Sequence, residues 1–165
     1  MATEQEYSVT IEAPQQLCFE VITDFESYPN WNSNITSATI EASERGRALR
    51  VAFEIDARVK TIRYALDYEY EKPKALSWES VAGDVNSITG SYRFEKLSRT
   101  RTEVRCRQKI DLGFWLPGAI RRLAENTALK QSVGEFKAEV ERRRAAKKTR
   151  TAKPEPAGTG NRRQS

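Results

Sequence analysis

Apolar and polar residues alternate with a period of two through much of the chain, and each such stretch predicts a strand with one covered and one wet face. Over 6–12, Tyr7, Val9 and Ile11 oppose Ser8, Thr10 and Glu12. A weaker strand spans 35–42, where small and threonine side chains leave little to bury. After a hairpin turn at Glu44-Arg45-Gly46, Leu49, Val51, Phe53 and Ile55 oppose Arg50, Glu54 and Asp56. The next run sets Ile62, Tyr64, Leu66, Tyr68 and Tyr70 against Arg63, Asp67, Glu69 and Glu71. Lys72-Pro73-Lys74 closes that pair with a turn. A short strand over 76–80 and a loop over 82–87 follow. Ile88, Gly90, Tyr92 and Phe94 then share one face, and Val104, Cys106, Gln108 and Ile110 share another. Six or seven strands with such regular faces predict an antiparallel sheet that something apolar must cover.

The period changes to that of a helix in two places. Pro14 suits a first helical turn, where its missing N–H would have no partner, and Leu17, Phe19, Val21, Ile22 and Phe25 give the following turns an apolar face. Tyr28-Pro29 pushes the chain out of that helix. A long helix is predicted from Pro117 to about Arg144. At about 100° per residue, Leu129, Val133, Phe136 and Val140 form one stripe suited to packing on a sheet. Leu116, Ile120, Leu123 and Thr127 point to the other side, so the first half presents Gly118, Arg122 and Asn126 to the sheet. Either the helix breaks near Asn126 or its first turns lie over a space that polar groups share.

Charge sharpens the domain boundary. Nine of the 28 Lys/Arg but only one of the 23 Asp/Glu lie from Arg142 to Ser165, which leaves 19 basic against 22 acidic residues before it. The basicity therefore belongs to the end of the chain, and 145–165, poor in large apolar residues, reads as a disordered basic tail behind a domain at 1–144. That tail suits weak contact with an anionic membrane surface or nucleic acid. The first dozen residues are polar and no apolar run approaches the ~20 residues of a membrane span, so a cytoplasmic protein is expected. The chain has no histidine, which removes Ser-His and Cys-His nucleophile pairs and the usual zinc and haem ligand sets. Cys18 and Cys106 read as small buried hydrophobes, and no cofactor or metal motif is present.

The stretch Ile11, Ala13, Pro14, Phe19, Val21, Asp24, Phe25, Tyr28, Pro29 and Trp31 resembles the START-related helix-grip superfamily, in its polyketide cyclase/dehydrase and coenzyme Q-binding-like branch. The resemblance implies an α+β fold: a curved antiparallel sheet wrapped around a long C-terminal helix, with two short helices after the first strand. It also implies a cavity between sheet and helix. On the faces read above, that cavity takes Phe53, Ile55, Tyr64, Leu66, Tyr68, Trp78, Tyr92, Phe94 and Gln108 from the sheet and Arg122 and Asn126 from the helix. Tyr28 and Trp31 serve as anchors or as its rim, and Asp24 is a surface residue or caps the segment that begins at Phe25. Aromatic walls with few polar groups suit a hydrophobic or polycyclic small molecule, lipid, quinone or polyketide-like.

Catalysis by an aromatase/cyclase or dehydrase would fall to Tyr64, Tyr92 and Arg122, which could polarise a carbonyl. With no histidine and no carboxylate assigned to the inner face, a general base is missing, so binding or transfer ranks above turnover. The remaining alternative is a ribosome- or protein-binding module of the superfamily's toxin-like branch. The oligomeric state is open.

Overall fold

The computed structural model describes residues 4–56, 60–113, 115 and 117–152; within the last helix the side chains at 119, 120, 122–124 and 150–152 fall outside that description. Seven strands form one antiparallel sheet: β1 (Glu4–Ile11), β2 (Ile35–Glu44), β3 (Arg47–Asp56), β4 (Thr61–Glu71), β5 (Ala75–Gly83), β6 (Ser87–Ser98) and β7 (Arg101–Asp111). Their order is β1-β7-β6-β5-β4-β3-β2, so the first strand lies beside the last. The chain crosses between the two edges of the sheet through α1 (Gln15–Thr23), a 3₁₀ turn at Phe25–Ser27 and α2 (Tyr28–Trp31). The predicted architecture is the one observed, with α3 (Gly118–Ala152) as the long helix.

The β2–β3 hairpin turns on Arg45 and Gly46, with φ of 53° and 77°. Two consecutive left-handed residues fit the tight turn whose twist matches that of the flanking strands, and Gly46 takes the second position without strain.

Two bulges alter the faces read from alternation. Ala42 pairs with Arg50 and Ser43 with Ala48, which leaves Leu49 as the extra residue; it is exposed while Ala48 is buried. Leu49 therefore does not belong to the inner face. Likewise Ala65 pairs with Ala82 and Leu66 with Ser80, so Val81 bulges outward and β5 continues to Gly83, past the end its interrupted alternation predicts. Bulges of this kind bend a strand and strengthen its twist.

The stripe on α3 packs as its spacing requires: Leu129, Val133, Phe136 and Val140 are buried, the last three completely. Phe136 meets Tyr92 and Phe94 with ring centroids 5.3 and 6.2 Å away. Its polar flanks tie the helix to both ends of the α1–α2 crossing. Lys137 Nζ donates to the Thr10 carbonyl at 2.8 Å and Glu141 accepts from the Glu12 N–H at 2.9 Å. On the other side Gln131 donates to Ser33 Oγ at 2.7 Å and Glu135 accepts from the Ser33 N–H at 3.2 Å.

The helix is continuous through Asn126 and runs on to Ala152, so there is no break, and the tail expected from Ala145 is helical over 145–152. The rest of that tail, 153–165, lies outside the described residues. Asp24 does not cap the 3₁₀ turn with its side chain. Its carboxylate instead accepts from Ser27 Oγ at 2.7 Å and from Arg143 at 3.1 Å.

Candidate functional site

Strand pairing lays one row of inward side chains across the sheet. Tyr68 faces Trp78, Trp78 faces Gly90, Gly90 faces Gln108, and Gln108 faces Gln5. Gly90 is the gap in this row, and the Trp78 indole lies across it: a Cβ there would sit 2.4 Å from Cζ2 and 2.7 Å from Nε1 of that ring. The absence of a side chain thus lets a large ring lie flat at the centre of the sheet.

Above this row, beneath α3, lies a cavity of about 460 Å³. Its sheet wall holds Phe53, Ile55, Tyr64, Leu66, Tyr68, Leu76, Trp78, Ile88, Tyr92, Cys106, Gln108 and Ile110. The chain crossing adds Ile22, Tyr28, Trp31, Asn32 and Asn34, the first residue of β2 adds Ile35, and α3 adds Ala128, Leu129 and Ser132. Phe53 and Tyr64 stack at 5.5 Å, while Trp78 and Tyr92 tilt together at 5.8 Å. Tyr28 and Trp31 both pin and line: their rings lie 4.8 Å apart, the Tyr28 hydroxyl donates to the Ile22 carbonyl, and both face the space.

Of the residues singled out from sequence, Phe94 and Asn126 stand apart from the cavity, and the Arg122 side chain lies outside the described residues. Phe94 is on the correct face of β6 but further along it, where α1 and α3 close over the sheet. It stacks on Tyr92 at 5.8 Å and meets Phe19 edge-on at 6.2 Å. Asn126 is on the wrong flank of α3. Taking about 100° per residue, Glu125, Ala128 and Ser132 lie roughly 40–100° to one side of Leu129, and Asn126 about 60° to the other.

The polar end of the cavity escapes the sequence reading because it is built from a turn and a helix flank, neither with a period of two. Asn32 is buried; its Oδ1 accepts from the Asn34 N–H at 3.1 Å and its Nδ2 donates to Ser132 Oγ at 3.4 Å. The Asn34 carbonyl accepts from the Asp56 N–H at 3.1 Å, which brings Asp56 to the lining although alternation places it on the wet face.

Burial sets the chemistry these walls can do. It pushes the Tyr28, Tyr64, Tyr68 and Tyr92 hydroxyls well above the usual tyrosine value, and the Cys106 thiol up to about 12. These groups stay protonated at neutral pH and act as hydrogen-bonding groups rather than as bases or thiolate nucleophiles. The indole N–H groups of Trp31 and Trp78 are buried with no partner among the described residues. An unmet buried donor costs about 1–3 kcal/mol, so each is a place where an acceptor oxygen on a guest would be stabilising. Among the described residues no group of three or more Cys, Asp or Glu is arranged as a metal-ligand set, and no helix is long and apolar enough to cross a membrane.

A second cleft, of about 470 Å³, lies between the α1–α2 turn and the far end of α3, lined by Asp24, Ser27, Asn30, Glu139, Arg142, Arg143, Ala146 and Lys147. Its charges are met internally: Arg143 bridges Asp24 and Glu139 at 3.1 and 2.7 Å, and Arg142 holds Glu139 at 2.8 Å. Hydrogen bonds from Arg142, reinforced by Arg143, keep the Glu139 carboxyl below its usual range. An apolar guest gains nothing there.

The family profile for polyketide cyclase/dehydrase and lipid transport proteins matches residues 11–137, which contain every sheet strand but most of β1 and the half of α3 that covers the cavity. The chain belongs to that family. Among curated proteins none matches the sequence. The family's fold is shared with solved structures of low identity. A START superfamily protein from Mycobacterium smegmatis superposes with a TM-score of 0.78 at 17% identity, over 84% of this chain and 97% of that one. The Zhui aromatase/cyclase from Streptomyces sp. R1128 gives 0.73 at 19%, over 87% and 96%. A protein from Thermus thermophilus gives 0.73 at 20%, over 88% and 99%. At such identities the likeness concerns the fold.

Proposed function

We propose that the protein binds and carries a hydrophobic, ring-containing small molecule in the cavity between sheet and α3. The observation that supports it most is the lining itself. Some 460 Å³ of space is walled by Phe53, Tyr64, Tyr68, Trp78 and Tyr92, with two unpartnered indole N–H groups to orient a guest. Such a volume lies within the ~300–1,000 Å³ usual for small-molecule sites, and apolar walls with few polar groups are their usual make-up. The family supports the same class of ligand. Native mass spectrometry of the full chain purified from its own host tests the reading: a retained small molecule, displaced when Leu129→Trp fills the space, is expected. A protein that carries nothing and takes up no lipid, quinone or polyketide from extracts overturns it.

A cyclase or dehydrase activity is the second reading, favoured by the family description and by the fold shared with an aromatase/cyclase. It predicts turnover of a polyketide mimic that is lost in Tyr64→Phe, Tyr92→Phe or Arg122→Ala. Binding of the mimic without turnover would leave carriage as the function. The basic end of the chain is proposed as a weak electrostatic contact for anionic surfaces. Removing 145–165, which carries six of the nine basic residues from Arg142 onward, should then sharply weaken salt-sensitive co-sedimentation with anionic vesicles and leave ligand binding unchanged; co-sedimentation with ribosomes instead would favour the toxin-like reading.

A further inference from the structure

Glu125 stands on the flank of α3 that borders the cavity, and its side chain is only 7% exposed. Neither carboxylate oxygen has a hydrogen-bond partner among the described residues. Arg121, one turn earlier, forms a loose ion pair with it, Nε to Oε1 3.9 Å, too long for a hydrogen bond, and that Nε has no hydrogen-bond partner among the described residues. With Gln5, Gln108, Ile110 and Leu129, Glu125 lines a recess of about 10 Å³, and Gln108, Ile110 and Leu129 are also walls of the main cavity. A space of that size admits one water or one hydroxyl-sized group.

A buried carboxylate that accepts no hydrogen bond among the described residues, with the Arg121 charge 3.9 Å away as its offset, is among the costlier features a fold can keep, and an apolar side chain of similar volume would be less costly at this position. The cost has a use if the acceptor is met by the guest. We infer that Glu125 selects the ligand: its carboxylate accepts a hydrogen bond from a hydroxyl carried by the apolar guest, and it rejects guests that end in an anionic group. This rests on the carrier reading above and adds to it the polarity of one end of the ligand.

Three fluorescent probes with one ring body test this on the full chain: 1-pyrenemethanol, 1-methylpyrene and 1-pyrenecarboxylate. Wild-type protein should bind the alcohol about tenfold more tightly than methylpyrene, as expected for a hydrogen bond to a charged acceptor, and the carboxylate at least about tenfold more weakly than methylpyrene. In Glu125→Gln the carboxylate should come within about threefold of methylpyrene, because the repulsion is gone while the shape is kept. Glu125→Asp withdraws the acceptor by one methylene, and it should lose the preference for the alcohol yet still reject the carboxylate. Should the Gln variant fail to fold, the wild-type ranking and the Asp variant decide. Methylpyrene binding with the three probes within about threefold, or a ranking unchanged in Glu125→Gln, overturns the inference alone and leaves water as the occupant of the recess. If none of the three binds, the carrier reading itself fails.

Discussion

Replacing Gly90 by alanine adds one methyl group at the centre of the cavity floor, and the geometry fixes what must yield. The new Cβ would lie 2.4, 2.5 and 2.7 Å from Cζ2, Cε2 and Nε1 of Trp78. Unstrained contact needs about 3.5–4.0 Å, so the indole has to move by more than about 1 Å. Tyr68 and Tyr92 flank it at 6.2 and 5.8 Å between ring centroids, and the yielding side is the cavity of about 460 Å³. Overpacking a filled core costs about 1–3 kcal/mol, but here the displaced ring moves into space, and removing a strand glycine returns about 0.5–1 kcal/mol. The net loss is about 0–2 kcal/mol, a fall of about 0–8 °C in Tm for a domain of this size. Ligand binding should suffer more, because a one-methylene misfit in an apolar site changes affinity by about tenfold or more. Thermal melting and titration with the 1-methylpyrene probe, run on the same preparation, separate the two effects. A fall in Tm of more than about 10 °C with affinity unchanged would show that the strand moved instead of the indole, and the placement of Trp78 on the cavity floor would be wrong.

Three further outcomes follow from burial and pairing. Leu49→Lys, at the bulge, should change stability by less than about 0.5 kcal/mol, whereas Val51→Ala two positions on should cost about 2 kcal/mol; urea unfolding that ranks them the other way would restore an unbroken alternation in β3. Phe136→Ala removes a fully buried ring in contact with Tyr92, Phe94 and Trp31, and should cost about 3–5 kcal/mol in the same assay, with a loss below about 1 kcal/mol counting against the helix-on-sheet packing. Burial raises Cys18 to about 11, Cys106 to about 12 and Tyr70 to about 12, so the folded state holds these protons after the unfolded chain has released its own. Their contribution is therefore complete below about pH 9 and is lost as pH rises toward 12; the urea midpoint should fall between about pH 9 and pH 11, and tyrosinate absorbance with every tyrosine titrating near pH 10 would contradict it.

What is legible in the sequence follows from what repeats. The inner faces of β4, β6 and β7 and the Leu129–Val140 stripe obey a fixed period, and the structure places them accordingly. Leu49 and Val81 depart from the alternation because a bulge inserts one residue in a strand, and only the partner strand reveals it. The same limit explains the site. Phe94 satisfies the alternation as well as Tyr92 does, yet one lies under the α1–α3 contact and the other under open space, a distinction set by where the helix crosses and not by β6 itself. On α3 the sequence separates two stripes, but the flank of the stripe that borders the cavity depends on which way the helix is rolled over the sheet. That roll is fixed by residues outside the lining, Lys137 and Glu141 on the Thr10–Glu12 corner and Gln131 and Glu135 on Ser33. Through it Ser132 and Glu125 reach the lining and its recess and Asn126 does not. A helix rolled by about 100°, one residue's worth, would exchange them and present a different set of polar groups to the guest. The exposed ties between α3 and the α1–α2 crossing are thus part of the site's specificity, although none of them touches the cavity.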